Sequence, residues 1–468
     1  MSVVKKSFAK PFVVTAIFSA SILIGFSVAS SQVFAASFPG CSSEPAKPRR
    51  LPALTEKLFK RLAPVDALIS PEPDQKTGVT AKADFKAGWR ELQKIVDRCD
   101  DCNPYEKAQL FNRAAYVNYS LDNTKDAINY YAKVVALTPN IPLPLEQQTM
   151  FTMAQLKASL EDYKGSLDTF KKWEKTCPTV IPKDYNYMLA QIFYQTNDKD
   201  TAIKYAKLAV SEVEAAGDKP KEAWYRLLMA LYVDKEDYKS GAAIGEKIVV
   251  GYPSTKNISQ LAGLYGMLGR DNEQLGLLDA LNVVGGLDKD SQVRNLASLY
   301  QQSEAPYLAA KVLDTYLKKG TIPRNSKNLE YLGAALRQAQ EAKKSIPIME
   351  EAAKLSSDGK IYAQLSAVYL DAEEFKNSIE AANKAINKGG LKNAGEPYFY
   401  KGNAQMQLKE YGEAITSLRK AVKDDRYGKY ATDLLRYVEA EKTRLDGLEK
   451  SKQEAEKATK IEVLPDSV

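Results

Sequence analysis

A chain of 468 residues is too long for one ordinary hydrophobic core, and with 44% apolar and 27% charged residues it has the composition of a folded, water-soluble protein. Its formal charge of +7 is spread over interspersed Lys, Arg, Asp and Glu, without the clustered cations of a nucleic-acid footprint. Histidine is absent, which removes the usual general base, the Ser-His and Cys-His nucleophile pairs and any zinc site short of four cysteines, so no catalytic residue, metal, cofactor or small-molecule substrate is expected.

The first 35 residues read as a signal peptide. Lys5, Lys6 and Lys10 precede an apolar run over 12–28, and Val33-Phe34-Ala35-Ala36 offers a small-x-small cut after Ala35. Cleavage removes three lysines, takes the charge from +7 to +4 and sends the chain to the periplasm. The competing reading is an uncleaved inner-membrane anchor, although serines break a run of only marginal spanning length. Cys41 follows Phe38-Pro39-Gly40, which is not a lipidation context. Residues 36–50 read as a linker, and 51–104 as a divergent helix pair, with helices over 52–69 and 81–99 joined by an insertion at 70–78.

Export permits disulfides among Cys41, Cys99, Cys102 and Cys177. Cys99-Asp100-Asp101-Cys102 has redox-motif spacing, but it follows Ile95-Val96-Asp97-Arg98 at the end of a helix. Two carboxylates and a helix C-terminus both disfavour a thiolate. A structural disulfide is expected, either 99–102 or one involving Cys41 or Cys177, and spacing alone does not choose among the three full pairings. A thiol–disulfide oxidoreductase or chaperone is the competing reading from another class. Asp100-Asp101 lacks the further ligands of a cation site. Asn118-Tyr119-Ser120 matches a glycosylation acceptor but falls inside a helix, and is read as fortuitous.

From 105 to 426 the chain repeats itself. Small residues at 402, 414 and 421 lie 12 and then 7 apart amid Tyr, Phe and Leu at helical spacing, and Ala190, Ala202 and Ala209 repeat the pattern. The central site recurs at 127, 166, 202, 241, 309, 345, 378 and 414, with Gln274 in a degenerate ninth copy, at intervals of 33–39 residues. Two helices approach closely only where facing side chains are small. Pro139, Pro178 and Pro253 mark where second helices end, and Asp122-Asn123, Asp162-Tyr163, Asn197-Asp198, Asp237-Tyr238 and Gly269-Arg270 mark bends. A long polar helix over 427–460 is expected to cap the last pair, and 461–468 to form a flexible tail.

This pattern resembles the tetratricopeptide repeat (TPR). The resemblance implies an all-α, right-handed superhelical solenoid of antiparallel helix pairs, which binds protein segments in a groove lined by the first helix of each pair. Groove positions carried over by register are Asn112, Tyr116, Tyr119, Phe151, Gln155, Tyr187, Gln191 and Tyr194, then Ser259, Gly263, Arg294, Ser298, Glu330 and Arg337 further on. Tyrosine suits such a role because it combines contact area with a hydroxyl. Residues 103–116 and 126–135, with Leu58-Phe59-Lys60-Arg61-Leu62 before them, are similar to the opening repeats of periplasmic TPR proteins associated with gammaproteobacterial TonB systems. That likeness implies an accessory role beside TonB, ExbB and ExbD in outer-membrane uptake of iron chelates, with membrane contact only through partners. The 70–78 insertion and the Cys99/Cys102 pair depart from the group. A scaffold for outer-membrane, peptidoglycan or polysaccharide-export machinery is the alternative.

Overall fold

The computed structural model describes Phe38, Cys41, Arg49 and residues 53–73 and 80–461, so the expected signal segment 1–35 and all but Ile461 of the expected tail 461–468 lie outside the described residues. Among the described residues there are 21 α-helices and no strand, only an isolated bridge between Pro73 and Thr80 that closes the insertion. The chain divides into two compact units, Met1–Gly251 and Tyr252–Val468.

Unit 1 opens with α1 (Glu56–Ile69) and α2 (Phe85–Val96). Four helix pairs follow: α3 (Pro104–Ser120) with α4 (Thr124–Val135), α5 (Leu143–Ser159) with α6 (Tyr163–Glu174), α7 (Tyr185–Gln195) with α8 (Lys199–Ala215), and α9 (Glu222–Asp234) with α10 (Tyr238–Gly251). Unit 2 has five pairs. They are α11 (Thr255–Met267) with α12 (Asp271–Val283), α13 (Asp290–Gln302) with α14 (Pro306–Lys318), α15 (Ser326–Gln338) with α16 (Ala342–Leu355), α17 (Lys360–Asp371) with α18 (Phe375–Lys388), and α19 (Gly395–Gln407) with α20 (Tyr411–Ala421). The closing helix is α21 (Gly428–Ile461).

All nine bends are built alike. The residue five before the central small site has a positive φ in every pair: Asp122, Glu161, Asn197, Glu236, Gly269, Glu304, Gln340, Glu373 and Lys409. The next N–H then donates to the carbonyl five residues back, as from Asn123 to Asn118 at 2.8 Å and from Glu410 to Gln405 at 2.9 Å. This is the Schellman stop, which satisfies carbonyls that the helix end leaves open. It occurs at Gly269 too, so the degenerate copy with buried Gln274 folds like the others.

The small sites 12 residues apart face each other across each pair. Ala115, Ala127, Ala190, Ala202, Ala309 and Ala414 are fully buried. Where serine replaces alanine its hydroxyl is satisfied across the contact: Ser166 Oγ donates to the Ala154 carbonyl at 2.7 Å and Ser345 Oγ to that of Gly333 at 2.8 Å. Ser366 and Ser378 donate to one another's carbonyls at 2.9 and 2.8 Å.

The N-terminal pair differs from its expected outline. Helix α1 starts at Glu56 because the Thr55 side chain caps it, accepting from the Leu58 N–H. Helix α2 ends at Val96, which leaves Cys99 in the α2–α3 connection and Cys102 immediately before Asn103, the N-cap of α3. The cysteine pair is therefore between helices and not on the end of one. Gly88 lies against Ile69 at the close approach of α1 and α2, the place a small site holds in later pairs. Buried Glu106 accepts from the Thr55 N–H and hydroxyl at 3.1 and 2.6 Å, and Arg113 holds Asp66 through two bonds at 2.7 and 3.0 Å. These contacts tie α1 onto α3. Of the expected 36–50 linker only Phe38, Cys41 and Arg49 are among the described residues, and each contacts helices or connections of unit 1.

Candidate functional site

On α3, α5 and α7 the expected groove residues are all half-buried, but they are not equivalent. Phe151 packs among Phe170, Trp173 and Tyr185, with ring centroids 5.4, 5.1 and 6.1 Å away, so it belongs to the core where α5, α6 and α7 meet. Tyr116 lies edge-on to Phe85 at 5.7 Å, and Tyr119 packs on the cluster around Ala127, Tyr131 and Met153. Gln155 and Tyr187 bridge successive first helices. The Gln155 amide reaches Met188 Sδ at 3.2 Å, and Tyr187 stacks on Trp224 at 5.4 Å. Burial pushes the hydroxyl pKa of Tyr187 up, and that of Tyr194 too, with Asp234 adding to the latter. Asn112 and Gln191 make no side-chain hydrogen bond to any described residue. Their amides remain available beside fixed aromatic neighbours.

Unit 2 uses its charged lining on itself. Gln292 Nε2 donates to Ser259 Oγ at 2.7 Å, and Arg294 donates to Asn328 at 3.3 Å and pairs with Asp290 at 2.7 Å. Glu330 accepts from Lys360 at 2.7 Å and Gln364 at 3.1 Å, and Arg337 pairs with Asp371 at 2.5 Å. Each cross-link except Arg294–Asp290 joins one first helix to the next. Gly263 is exposed, and Arg294 and Ser298, with Asn295, Gln301 and Tyr331, line a recess of about 210 Å³. The partners in this ladder were not visible as a set in the sequence, because each lies roughly one repeat away from the residue it satisfies.

A second recurrent device also escaped the sequence reading. Tyr185 donates to Glu174 at 2.6 Å and Tyr225 to Glu214 at 2.5 Å, each tyrosine opening a first helix and each acid ending the second helix before it. Tyr369 with Glu350 at 2.5 Å and Tyr300 with Asp279 serve the same purpose in unit 2. Burial first, and the carboxylate second, raise the pKa of Tyr185, Tyr300 and Tyr369. The 11-residue interval in 174/185 and 214/225 was the available signal.

The structure pairs Cys41 with Cys177 and Cys99 with Cys102. Cys99 is 6% exposed and packs in the cluster that joins α1, α2 and α3, a structural setting. Among the described residues no group of His, Cys, Asp and Glu could hold a metal ion, and no helix is long and apolar enough to cross a membrane.

The Tetratricopeptide repeat family model matches residues 108–141, 184–212 and 396–425, which are the pairs α3–α4, α7–α8 and α19–α20. The chain carries tetratricopeptide repeats. The other six pairs share the bend of the three matched ones. No curated protein sequence matches the chain. Among solved structures, a tetratricopeptide repeat protein from Parabacteroides merdae is 14% identical with a TM-score of 0.31, over 55% of this chain and 98% of its own. YrrB, described as a TPR protein with an unusual peptide-binding site, is 14% identical with a TM-score of 0.35, over 41% and 97%. MamA is 19% identical with a TM-score of 0.32, over 38% and 94%. A TPR protein is suited to act as a scaffold for protein–protein interaction, and its fold is generally non-catalytic.

Proposed function

We propose that this chain is a periplasmic TPR scaffold that holds a segment of an envelope protein against α3, α5 and α7. The observation that carries this reading is the pair of unspent amides, Asn112 and Gln191, flanked by Tyr116 and Tyr187, which are fixed by Phe85 and Trp224, and by half-buried Tyr194. An amide can both donate to and accept from a peptide backbone, and tyrosines beside it supply contact area at little entropic cost. Unit 2 is the weaker candidate because its charged residues already satisfy one another. Export is supported by the signal-like N-terminus and by two disulfides, which persist in oxidising compartments. Cell fractionation with N-terminal sequencing tests it, and a mature chain beginning at Ala36 is expected.

Within that compartment the similarity of residues 103–116 and 126–135 to periplasmic TPR proteins of TonB systems favours an accessory role beside TonB, ExbB and ExbD. Cross-linking in intact cells followed by purification decides between this and envelope assembly. TonB components are expected; recovery of cell-wall or export machinery without them would move the role to the alternative. Asn112→Ala with Gln191→Ala should weaken capture of the cross-linked partner about tenfold or more while leaving the melting temperature unchanged.

A further inference from the structure

Three residues of the 36–50 segment are held by unit 1, each through a different kind of contact. Phe38 sets its ring edge-on to Trp173 at 5.7 Å and to Tyr185 at 6.2 Å. Cys41 is bonded to Cys177, 136 residues away in sequence, with Cα atoms 5.5 Å apart. Arg49 donates to the Glu146 carboxylate at 2.6 Å and to the Ile141 carbonyl at 3.1 Å. The Cys41 N–H also closes a turn onto the Phe38 carbonyl at 3.0 Å, so ring and sulfur meet the same part of the molecule.

That part is the junction between α6 and α7. Trp173 lies in the last turn of α6, Cys177 in the connection that follows, and Tyr185 begins α7. The ten-residue connection over 175–184 is longer than those joining the other helix pairs of unit 1. At this junction Trp173, Tyr185, Phe151 and Ile181 form one apolar cluster, with the Trp173 and Tyr185 rings 5.0 Å apart, and Phe38 packs against it. The Tyr185 hydroxyl is spent on Glu174, which fixes its ring. Cys41 and Cys177 are both half-buried, so a dithiol in solution can approach either sulfur of the long-range bond, whereas in the other pair Cys99 is buried and only Cys102 is half-buried. Cys177 also sits at φ 50°, in the left-handed region that side chains avoid.

We infer that the Trp173–Tyr185 aromatic cluster is a binding site for an extended peptide carrying an aromatic residue, covered in the disulfide-bonded chain by its own Phe38 and uncovered when Cys41–Cys177 is reduced. In that step a dithiol transfers two electrons and two protons. Its own sulfurs join as a disulfide, the Cys41–Cys177 bond breaks, and both cysteines end as thiols. Phe38 then remains only as a tethered competitor, held by its ring contacts and by Arg49, and a foreign aromatic segment displaces it by mass action. Of the residues here only Phe151 was an expected groove position, and it packs in the core, so this site does not rest on Asn112 and Gln191.

The test uses the full chain and a dye-labelled peptide of residues 36–43 with Cys41→Ser. The peptide is expected to bind the Phe38→Ala chain under a dithiol reductant and the reduced wild type more weakly, and not to bind the oxidised wild type. A peptide with Phe38→Ala should bind at least about tenfold more weakly, as the loss of one buried aromatic ring implies. Equal binding of the two peptides overturns the inference, as does equal binding to oxidised and reduced wild type. Absence of binding to a chain whose thiols alkylate fully and whose helices are intact by circular dichroism overturns it as well. Should Phe38→Ala lose helix, the Cys177→Ser chain replaces it, and the same preference for the Phe peptide must appear there.

Discussion

Every bend places one residue in a left-handed conformation that costs any side chain with a Cβ, yet among the nine only Gly269 is a glycine. Glu304 and Glu373 are exposed and carry that cost with no visible return. Glu304→Gly or Glu373→Gly should therefore raise stability by about 1 kcal/mol, and Gly269→Ala should lower it by a similar amount, measured by urea unfolding. The opposite sign in both would mean that the bends are set by side-chain contacts instead of backbone preference. At the facing sites the limit is volume. Ala414 is fully buried against α19, so Ala414→Leu should overpack the pair and cost about 1–3 kcal/mol. Such sites were legible from spacing alone, because facing side chains must be small wherever two helices touch. Gly88 was not, since the insertion around 70–78 hides the register of the first pair.

At the scale of elements, α21 shows how an array is ended. Ala431 and Val438 bury against Ala414, Leu418 and Ala421 of α20, whereas residues 446–457 are exposed throughout. Deleting 428–461 should uncover the α20 face and produce an aggregating unit 2, while deleting 446–461 should leave its melting temperature within about 1 °C. Light scattering and thermal melts distinguish the two. Asp424 fixes the turn into this helix. Burial pushes its carboxyl pKa up, but N–H bonds from Gly395, Arg426 and Tyr427 outweigh that and hold it below the ordinary value. A depressed carboxylate contributes stability above its unfolded pKa and loses it as pH falls through the folded value. Asp424→Asn should therefore be most destabilising near neutral pH and approach wild type well below pH 4. A gap that is constant with pH would assign the role to shape alone. The existence of α21 was readable from its length and polarity, but its anchor was not, because Asp424 acts through backbone groups 29 residues away at Gly395.

At the scale of the molecule, all four cysteines fall in unit 1. Closing a loop of 136 residues removes far more unfolded-chain entropy than closing one of 3, about 5 against about 2 kcal/mol at the upper limit. Reduction should accordingly lower the protection of unit 1 peptides in hydrogen exchange and leave those of unit 2 unchanged. Equal loss in both units would show that they unfold as one. The sequence by itself determined the all-α class, five of the bends and the small facing sites, because those follow from contacts within one helix pair, some 12 residues apart. It did not determine which tyrosines are core and which are free, how the cysteines pair, or that the charged residues of unit 2 satisfy one another. Those depend on neighbours a whole repeat or more away, and in the extreme on Cys41 meeting Cys177 across 136 residues of sequence. Only the packing of one pair against the next brings such residues together.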